Sequence, residues 1–160
     1  MSVVKELPKG YAKQGTVLTI GVFDGVHLGH RYLIDSLKSM GATQKKKTGI
    51  ITFINHPASI VNPQFKPQYL TTLKEKLNLL SSTDVDFVAP INFDHDLSIL
   101  EVEDFIKILI DQMGMAGLVI GPDFKMGKNR LGDVNKLISL GQKYGFLAEV
   151  IDSIEQQGRS

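Results

Sequence analysis

The stretch GVFDGVHLGH, residues 21–30, places two histidines three positions apart among three glycines. It follows an apolar, β-branched run that predicts a buried strand over residues 16–23. A glycine turn here would present the N-terminus of a helix, whose free N–H groups and partial positive charge attract anions. His27 and His30 would project from one side of its first turn, and Gly29 would let a phosphate approach closely. Two imidazole donors could then stabilise the charge that builds up during phosphoryl or nucleotidyl transfer.

The histidine spacing alone leaves other arrangements open. Two histidines at i and i+3 also fit helix capping, exposed surface positions or a pair of zinc ligands. Zinc is disfavoured because no acidic or histidine partner stands at a recognisable spacing, and no metal site is predicted. Asp24 is expected to shape the turn rather than to bind a metal. Neither the dinucleotide-binding glycine pattern nor the phosphate-cradling Walker pattern is present, so the interpretation depends on the strand–turn–helix context.

Predicted strands and helices alternate along the whole chain. Apolar runs predict five strands, and these lie at residues 16–23, 48–54, 85–91, 116–121 and 145–151. Such alternation is typical of the α/β class, with about five parallel strands and helices on both faces of the sheet. In such sheets, ligands bind at the carboxyl ends of the strands, near a switch in strand order. The segments after the first, second and fourth strands are therefore the candidate site.

The helix boundaries follow from local signals. Gly41 is expected to end the helix that begins near Leu28. Thr72 with Glu75, and Ser98 with Glu101, have the spacing of capping boxes, and Asp133 can cap a later helix. After Thr72, one apolar face is expected from Leu73, Leu77 and Leu80. The next helix carries a stripe made by Val102, Phe105, Ile106, Leu109, Ile110 and Met113.

The length of 160 residues predicts a single domain over residues 1–160, and the composition excludes several classes of function. The formal net charge is +1, which implies no bulk attraction to nucleic acid or to an anionic membrane. The chain has no cysteine, so disulfides and thiolate chemistry are excluded. No stretch approaches 18 apolar residues, which argues against secretion or membrane insertion. A cytoplasmic protein is expected, and its oligomeric state is not predicted.

Three blocks of sequence resemble one family. GVFDGVHLGH (21–30) is similar to the H-x-G-H signature of the nucleotidyltransferase superfamily. TFINHP (52–57) is similar to a TFxPHP block, and GPDFKMGKNRLGD (121–133) to a GxDFxFGxxRxGD block. Together they resemble the FMN adenylyltransferase module of bacterial bifunctional riboflavin kinase/FAD synthetases. The resemblance implies a Rossmann-like nucleotidyltransferase fold and transfer of AMP from ATP to FMN, giving FAD and pyrophosphate, with Mg²⁺ accompanying ATP.

The same resemblance assigns residues to the two substrates. It implies catalytic roles for His27 and His30. The nucleotide side would be formed by Gly21, Phe23, Asp24, His27, Gly29 and His30. The flavin side would be formed by His56, Pro57, Asp123, Phe124, Lys125 and Arg130. Lys125 and Arg130 belong to a short basic cluster after the fourth strand, which is well placed to meet phosphates.

The chain departs from the family pattern in three places. Asn55 replaces a proline, and Met126 stands where an aromatic residue is usual. The sequence stops at SIEQQGRS, where an SSTxxR loop that helps to bind ATP would begin. Weakened transfer is therefore expected and, because no riboflavin kinase domain is present, no conversion of riboflavin to FMN. The alternatives are a catalytically weak flavin- or nucleotide-binding module, and a nucleotidyltransferase that acts on another phosphate or carboxylate substrate.

Overall fold

The computed structural model describes residues 5–21, 23, 28–54, 72–121, 125–126 and 132–151. Its strands in chain order are β1 (Thr16–Gly21), β2 (Lys47–Phe53), β3 (Phe87–Ile91), β4 (Met115–Ile120), β5 (Lys125–Met126), β6 (Gly132–Asp133) and β7 (Leu147–Val150). Its helices are α1 (Leu28–Gln44), α2 (Leu73–Ser81), α3 (His95–Ser98), α4 (Val102–Met113) and α5 (Val134–Tyr144). The predicted α/β alternation is confirmed, and the observed strand bounds are mostly shorter than the apolar runs.

Five of these strands form one parallel sheet in the order β3-β2-β1-β4-β7. The first strand of the chain is therefore central, with Ile20 opposite Ile51 of β2 and Leu18 opposite Leu118 of β4. From β1 the strand order runs outward to β3, and the chain then returns to the other side of β1 as β4. The order reverses between β1 and β4, which makes their carboxyl ends the switch point where α/β sheets bind ligands.

Helices cover both faces of the sheet, as the sequence predicts. One core cluster joins β1, β2 and β4 to α4 and α5, through residues such as Leu18 and Ile51. The other cluster joins the neighbouring residues of the same strands, such as Val17 and Ile50, to α1 and α2. Alternate residues of a strand point to opposite faces, so the β-branched runs bury both of their sides.

The expected end of α1 at Gly41 is wrong, because the helix continues to Gln44. Gly41 is buried against β2, where an added Cβ would lie 2.4 Å from the Cγ2 methyl of Thr48. The helix ends at Gln44. The next residue, Lys45, has a left-handed φ of 58°, and the Lys46 amide donates to the Gly41 carbonyl at 3.0 Å. This is the Schellman pattern of helix termination, here with a lysine instead of a glycine at the left-handed position.

The capping box at Thr72 is confirmed: Thr72 Oγ1 accepts from the Glu75 amide, and the Glu75 carboxylate accepts from the Thr72 amide. The predicted apolar face of α2 is wrong in part. Leu80 is buried, but Leu73 is 38% exposed, and the other buried residue of this helix is Lys76.

The predicted capping box at Ser98 is wrong, because that residue ends the one-turn helix α3 and its hydroxyl donates to the His95 carbonyl. The next helix, α4, begins after Glu101, which makes no side-chain cap. Its predicted apolar stripe is confirmed, with Ile110 partly buried and the other five residues buried.

A carboxylate on α4 ties this helix to α5. Glu103 Oε2 accepts a hydrogen bond from Lys143 Nζ at 2.7 Å and another from the Tyr144 hydroxyl. These bonds, Lys143 first, lower the pKa of Glu103 to about 2. Among the described residues, no helix is long and apolar enough to cross a membrane.

Candidate active site

The three sequence blocks start from neighbouring strands at the carboxyl edge of the sheet. GVFDGVHLGH begins at Gly21, the last residue of β1, and TFINHP begins at Thr52, which lies opposite Gly21 on β2. The third block begins at Gly121, directly after β4. Leu18 of β1 pairs with Leu118 of β4. Gly21 and Gly121 each follow three residues later, so they lie at the same edge of the sheet. The sheet therefore brings together the starts of blocks that are widely separated in the chain.

The turn after β1 contains a strained residue. Phe23 has a φ of 55°, in the left-handed region that bulky residues rarely adopt, which costs on the order of 1–3 kcal/mol. Phe23 is 4% exposed and belongs to the core cluster that includes α1 and α2. It also covers the Gly21 Cα, where an added Cβ would lie 3.1 Å from the ring. The buried ring therefore anchors the chain two residues after the end of β1, at the switch point.

The helix after this turn begins as the sequence predicts, at Leu28. Gly29 and His30 thus lie in the first turn of α1, the end of a helix where backbone N–H groups lack intrahelical acceptors. The remainder of α1 packs against β1, β2 and β4, which fixes its N-terminus at the carboxyl edge. Asp24 and His27 lie outside the described residues.

The end of β2 is held by a buried cation. Lys76 of α2 is 5% exposed, and its Nζ donates a hydrogen bond of 2.8 Å to the carbonyl of Phe53, the last residue of β2. Sequence reasoning missed Lys76 because a lysine on an amphipathic helix is ordinarily assigned to solvent. The available signal was Leu80, since position i−4 from a buried residue lies on the same helix face. His56 and Pro57 lie outside the described residues.

The segment after β4 returns through a small antiparallel pair that the sequence did not predict. Lys125 of β5 lies opposite Asp133 of β6, and Met126 lies opposite Gly132. Asp133 is also the predicted N-cap of α5, and its Oδ1 accepts from the Lys136 amide at 3.1 Å. One residue thus ends the third block and starts α5. Asp123, Phe124 and Arg130 lie outside the described residues.

The described part of the chain contains no cluster of three or more histidine and acidic side chains suited to a metal ion. Mg²⁺ bound with a nucleotide needs no such cluster, because phosphate oxygens, water and one or two carboxylates satisfy it. The described part of the site offers the backbone N–H groups in the first turn of α1, which can bind an anion. Gly29, in the same turn, has no side chain to keep an anion away.

Comparison with known proteins agrees with this arrangement. A family model described as FAD synthetase matches residues 10–160. The bifunctional riboflavin kinase/FMN adenylyltransferase of Buchnera aphidicola is 35% identical over 140 residues, covering 87% of this chain and 45% of that protein. The Escherichia coli K12 protein of the same name is 36% identical over 135 residues, covering 84% and 43%. The chain therefore spans less than half the length of these relatives.

A solved structure shares the fold. A crystal structure titled macrolide-efflux protein, from Streptococcus pneumoniae, superposes with a TM-score of 0.79 at 18% identity, covering 92% of this chain and 47% of that one. At this identity the similarity concerns the fold alone. The match over residues 10–160, together with the three blocks that begin at the carboxyl edge of the sheet, shows that the chain belongs to the FAD synthetase family.

Proposed function

We propose that this chain transfers the adenylyl group of ATP to the phosphate of FMN, forming FAD and pyrophosphate. The observation that carries the proposal is that the three family blocks begin at the carboxyl ends of β1, β2 and β4, which are neighbours in the sheet. Membership of the FAD synthetase family and the names of the relatives support the same reaction.

The nucleotide side of the proposed site follows the turn from β1 into α1. His27 and His30 are the proposed catalytic residues, and they donate hydrogen bonds to the phosphates of ATP. Gly21, Phe23 and Asp24 shape the turn below the nucleotide. Gly29 leaves room for a phosphate beside the first turn of α1, where its backbone N–H groups attract negative charge.

The flavin side of the proposed site follows β2 and β4. Two segments contribute to it, and their proposed residues are His56, Pro57, Asp123, Phe124, Lys125 and Arg130. The Lys125 backbone lies opposite Asp133, the N-cap of α5, so this part of the segment after β4 is held beside the start of that helix. The basic residues of this segment would meet the phosphate of FMN.

The reaction asks the protein for position and charge stabilisation. An oxygen of the FMN phosphate attacks the α-phosphorus of ATP; the new P–O bond forms as the bond to the β-phosphate breaks, and pyrophosphate leaves with its electron pair. The attacking phosphate is largely ionised at neutral pH, so no general base is required. Because both reactants are anions, donors that screen their repulsion and hold them in line lower the barrier. Mg²⁺ enters the proposal only as the companion of ATP, and a cytoplasmic site of action belongs to the same proposal.

The test is incubation of the purified chain with FMN and MgATP, with chromatography for FAD and pyrophosphate. His30→Ala should reduce the rate about 10²–10³-fold, the effect of losing one well-placed donor to a developing negative charge. His95→Ala is the matched control, since His95 is an exposed histidine of the one-turn helix α3, and its rate should stay within about twofold.

The outcomes separate the candidate functions. FAD formation that depends on His30 supports the adenylyltransferase. Saturable quenching of flavin fluorescence without any FAD would indicate a binding module. Absence of both FAD and flavin binding would refute the proposal and favour a transferase that acts on a different acceptor.

A further inference from the structure

A groove lies between α1 and the turn that joins the end of α2 to β3. Its volume of about 300 Å³ is at the lower end of the range for small-molecule sites, and all of its lining residues are described. These residues come from 31–38 and from 79–84, outside the three family blocks. The proposed adenylyl transfer therefore does not account for the groove.

The first side of the groove, the α1 wall, consists of Arg31, Asp35 and Lys38. Their helical spacings of four and three residues place them on one face of α1. At these spacings Asp35 could pair with either cation, but none of the three makes an ion pair within the described part of the chain. Two cationic hydrogen-bond donors therefore remain available on this wall.

The second side of the groove, the turn wall, consists of Ser82, Thr83 and Asp84. The Ser82 hydroxyl donates to the Leu79 carbonyl at 2.7 Å, and the Thr83 hydroxyl donates to the Leu80 carbonyl at 2.5 Å. Since each hydroxyl hydrogen is used in this way, the two oxygens can only accept further hydrogen bonds. The Asp84 carboxylate is a third acceptor group, and no described residue forms an ion pair with it. This wall therefore attracts donors and positive charge.

The two walls carry opposite charge, and among the described residues no ion pair joins them. A ligand that complements the groove has an anionic pole for Arg31 and Lys38 and a cationic pole for Asp84. A carboxylate suits the α1 wall, because it accepts charge-assisted hydrogen bonds from guanidinium and ammonium groups. A primary ammonium suits the turn wall, because its three N–H donors match the three acceptor groups. Leu79, which is 43% exposed, lines the same groove and can contact the hydrocarbon part of a ligand.

We propose that this groove binds a small zwitterion that carries a carboxylate and a primary ammonium group, namely a free amino acid. A carboxylate is favoured over a phosphate, because Asp35 stands between the two cations and would repel a second negative charge. The inference does not rest on the proposed adenylyl transfer, since an amino acid is neither a substrate nor a product of that reaction.

The test begins with a thermal-shift screen of the full chain against the standard amino acids, and calorimetry then measures the Kd of the amino acid that shifts the Tm most. We expect a Kd of about 1 mM or lower. The carboxamide of that amino acid lacks the anionic pole, and its N-acetyl derivative lacks the cationic pole. Each derivative should bind at least about tenfold more weakly, because it loses the charge-assisted bonds to one wall.

Two variants locate the ligand. Lys38→Met removes a donor from the α1 wall, and Asp84→Asn removes the charge of the turn wall with a residue that tolerates its left-handed φ of 66°. Each should raise the Kd about three- to tenfold, between the effects of an exposed ion pair and of a charged hydrogen bond. Asp104→Asn is the matched control, since Asp104 is an exposed carboxylate on α4 outside the groove, and it should bind as the wild type does. Circular dichroism without ligand shows that each variant is folded.

Three results would overturn the inference: no binding of any amino acid, equal affinity for the parent amino acid and both derivatives, or an unchanged Kd in both groove variants. An equal loss of affinity in Asp104→Asn would also overturn it, because the ligand would then bind elsewhere. FAD formation is assayed without any amino acid, so each of these results leaves the proposed adenylyl transfer untouched.

Discussion

Gly41→Ala sets two physical effects against each other within α1. Alanine is a better helix former than glycine, which favours the variant by about 0.5–1 kcal/mol. The new Cβ, however, would lie 2.4 Å from Thr48 Cγ2, whereas carbon atoms in contact prefer separations of about 3.5–4.0 Å. The methyl group must therefore move by about 1 Å, or the helix must move away from β2.

Thr48 is held so that its methyl group cannot turn aside without loss. Its Oγ1 donates to Asp86 Oδ2 at 3.1 Å and accepts from the Asp86 amide at 3.1 Å. The Thr48 amide also donates to the same carboxylate oxygen at 2.8 Å. Overpacking of a fixed core contact typically costs about 1–3 kcal/mol. After subtraction of the helix gain, we expect Gly41→Ala to lower the free energy of unfolding by about 1–2 kcal/mol.

Urea unfolding, followed by circular dichroism, measures this difference as a midpoint lower by roughly 0.5–1 M. Thr48→Ser supplies the matched background, because it removes the Cγ2 methyl and keeps the hydroxyl that bonds Asp86. In that background Gly41→Ala should be neutral or stabilising. Equal losses in the two backgrounds, or a higher midpoint for Gly41→Ala alone, would refute the contact as the cause.

Two further predictions concern polar groups on the helices. Thr72→Ala should lower the free energy of unfolding by about 1 kcal/mol in urea unfolding, because the Glu75 amide at the start of α2 loses its acceptor. Thr72→Ser keeps the hydroxyl and should retain the stability. A loss of stability in Thr72→Ser equal to that in Thr72→Ala would contradict the capping role. Glu103→Gln should lower the urea midpoint at pH 7, since the pKa of Glu103 is lowered from 4.5 to about 2 by Lys143 and Tyr144. A lowered pKa stabilises the fold above pH 4.5, and this advantage is lost as the pH falls towards 2, so the two midpoints should converge over that range; a gap that persists at pH 2 would contradict the assignment.

The fold was predictable where local and global signals agree. Thr72 and Asp133 are capping residues in the sequence, and the structure begins a helix directly after each of them. The apolar residues of α4 recur at helical spacing, and the structure buries that face. Gly41 was misassigned because a glycine that ends a helix and one that admits a close neighbour look alike in sequence. The neighbour here, Thr48, can be recognised only from the packing of α1 on β2.

The strand ends at which the candidate site begins could be predicted from the sequence. The residues and small elements that support those ends could not. The three blocks begin at the strand ends that an alternating β/α pattern predicts as a binding edge, at Gly21, Thr52 and Gly121. The burial of Lys76 was missed because a lysine on an amphipathic helix is ordinarily assigned to solvent, and its contact with the Phe53 carbonyl becomes visible only once α2 is packed on the sheet. The pair of β5 and β6 was missed because two residues per strand give no period to detect.

The central place of β1 has a consequence for the chain as it is synthesised. One edge of β1 can pair with β2 soon after both emerge from the ribosome, but the partner of Thr16 on the other edge is Met115. At roughly 5–20 residues per second, the strand that covers this edge follows about 5–20 s later. During that interval an apolar strand presents open N–H and C=O groups, which are a template for pairing with other chains. A nascent chain stalled before β4 should therefore be the form most dependent on chaperones.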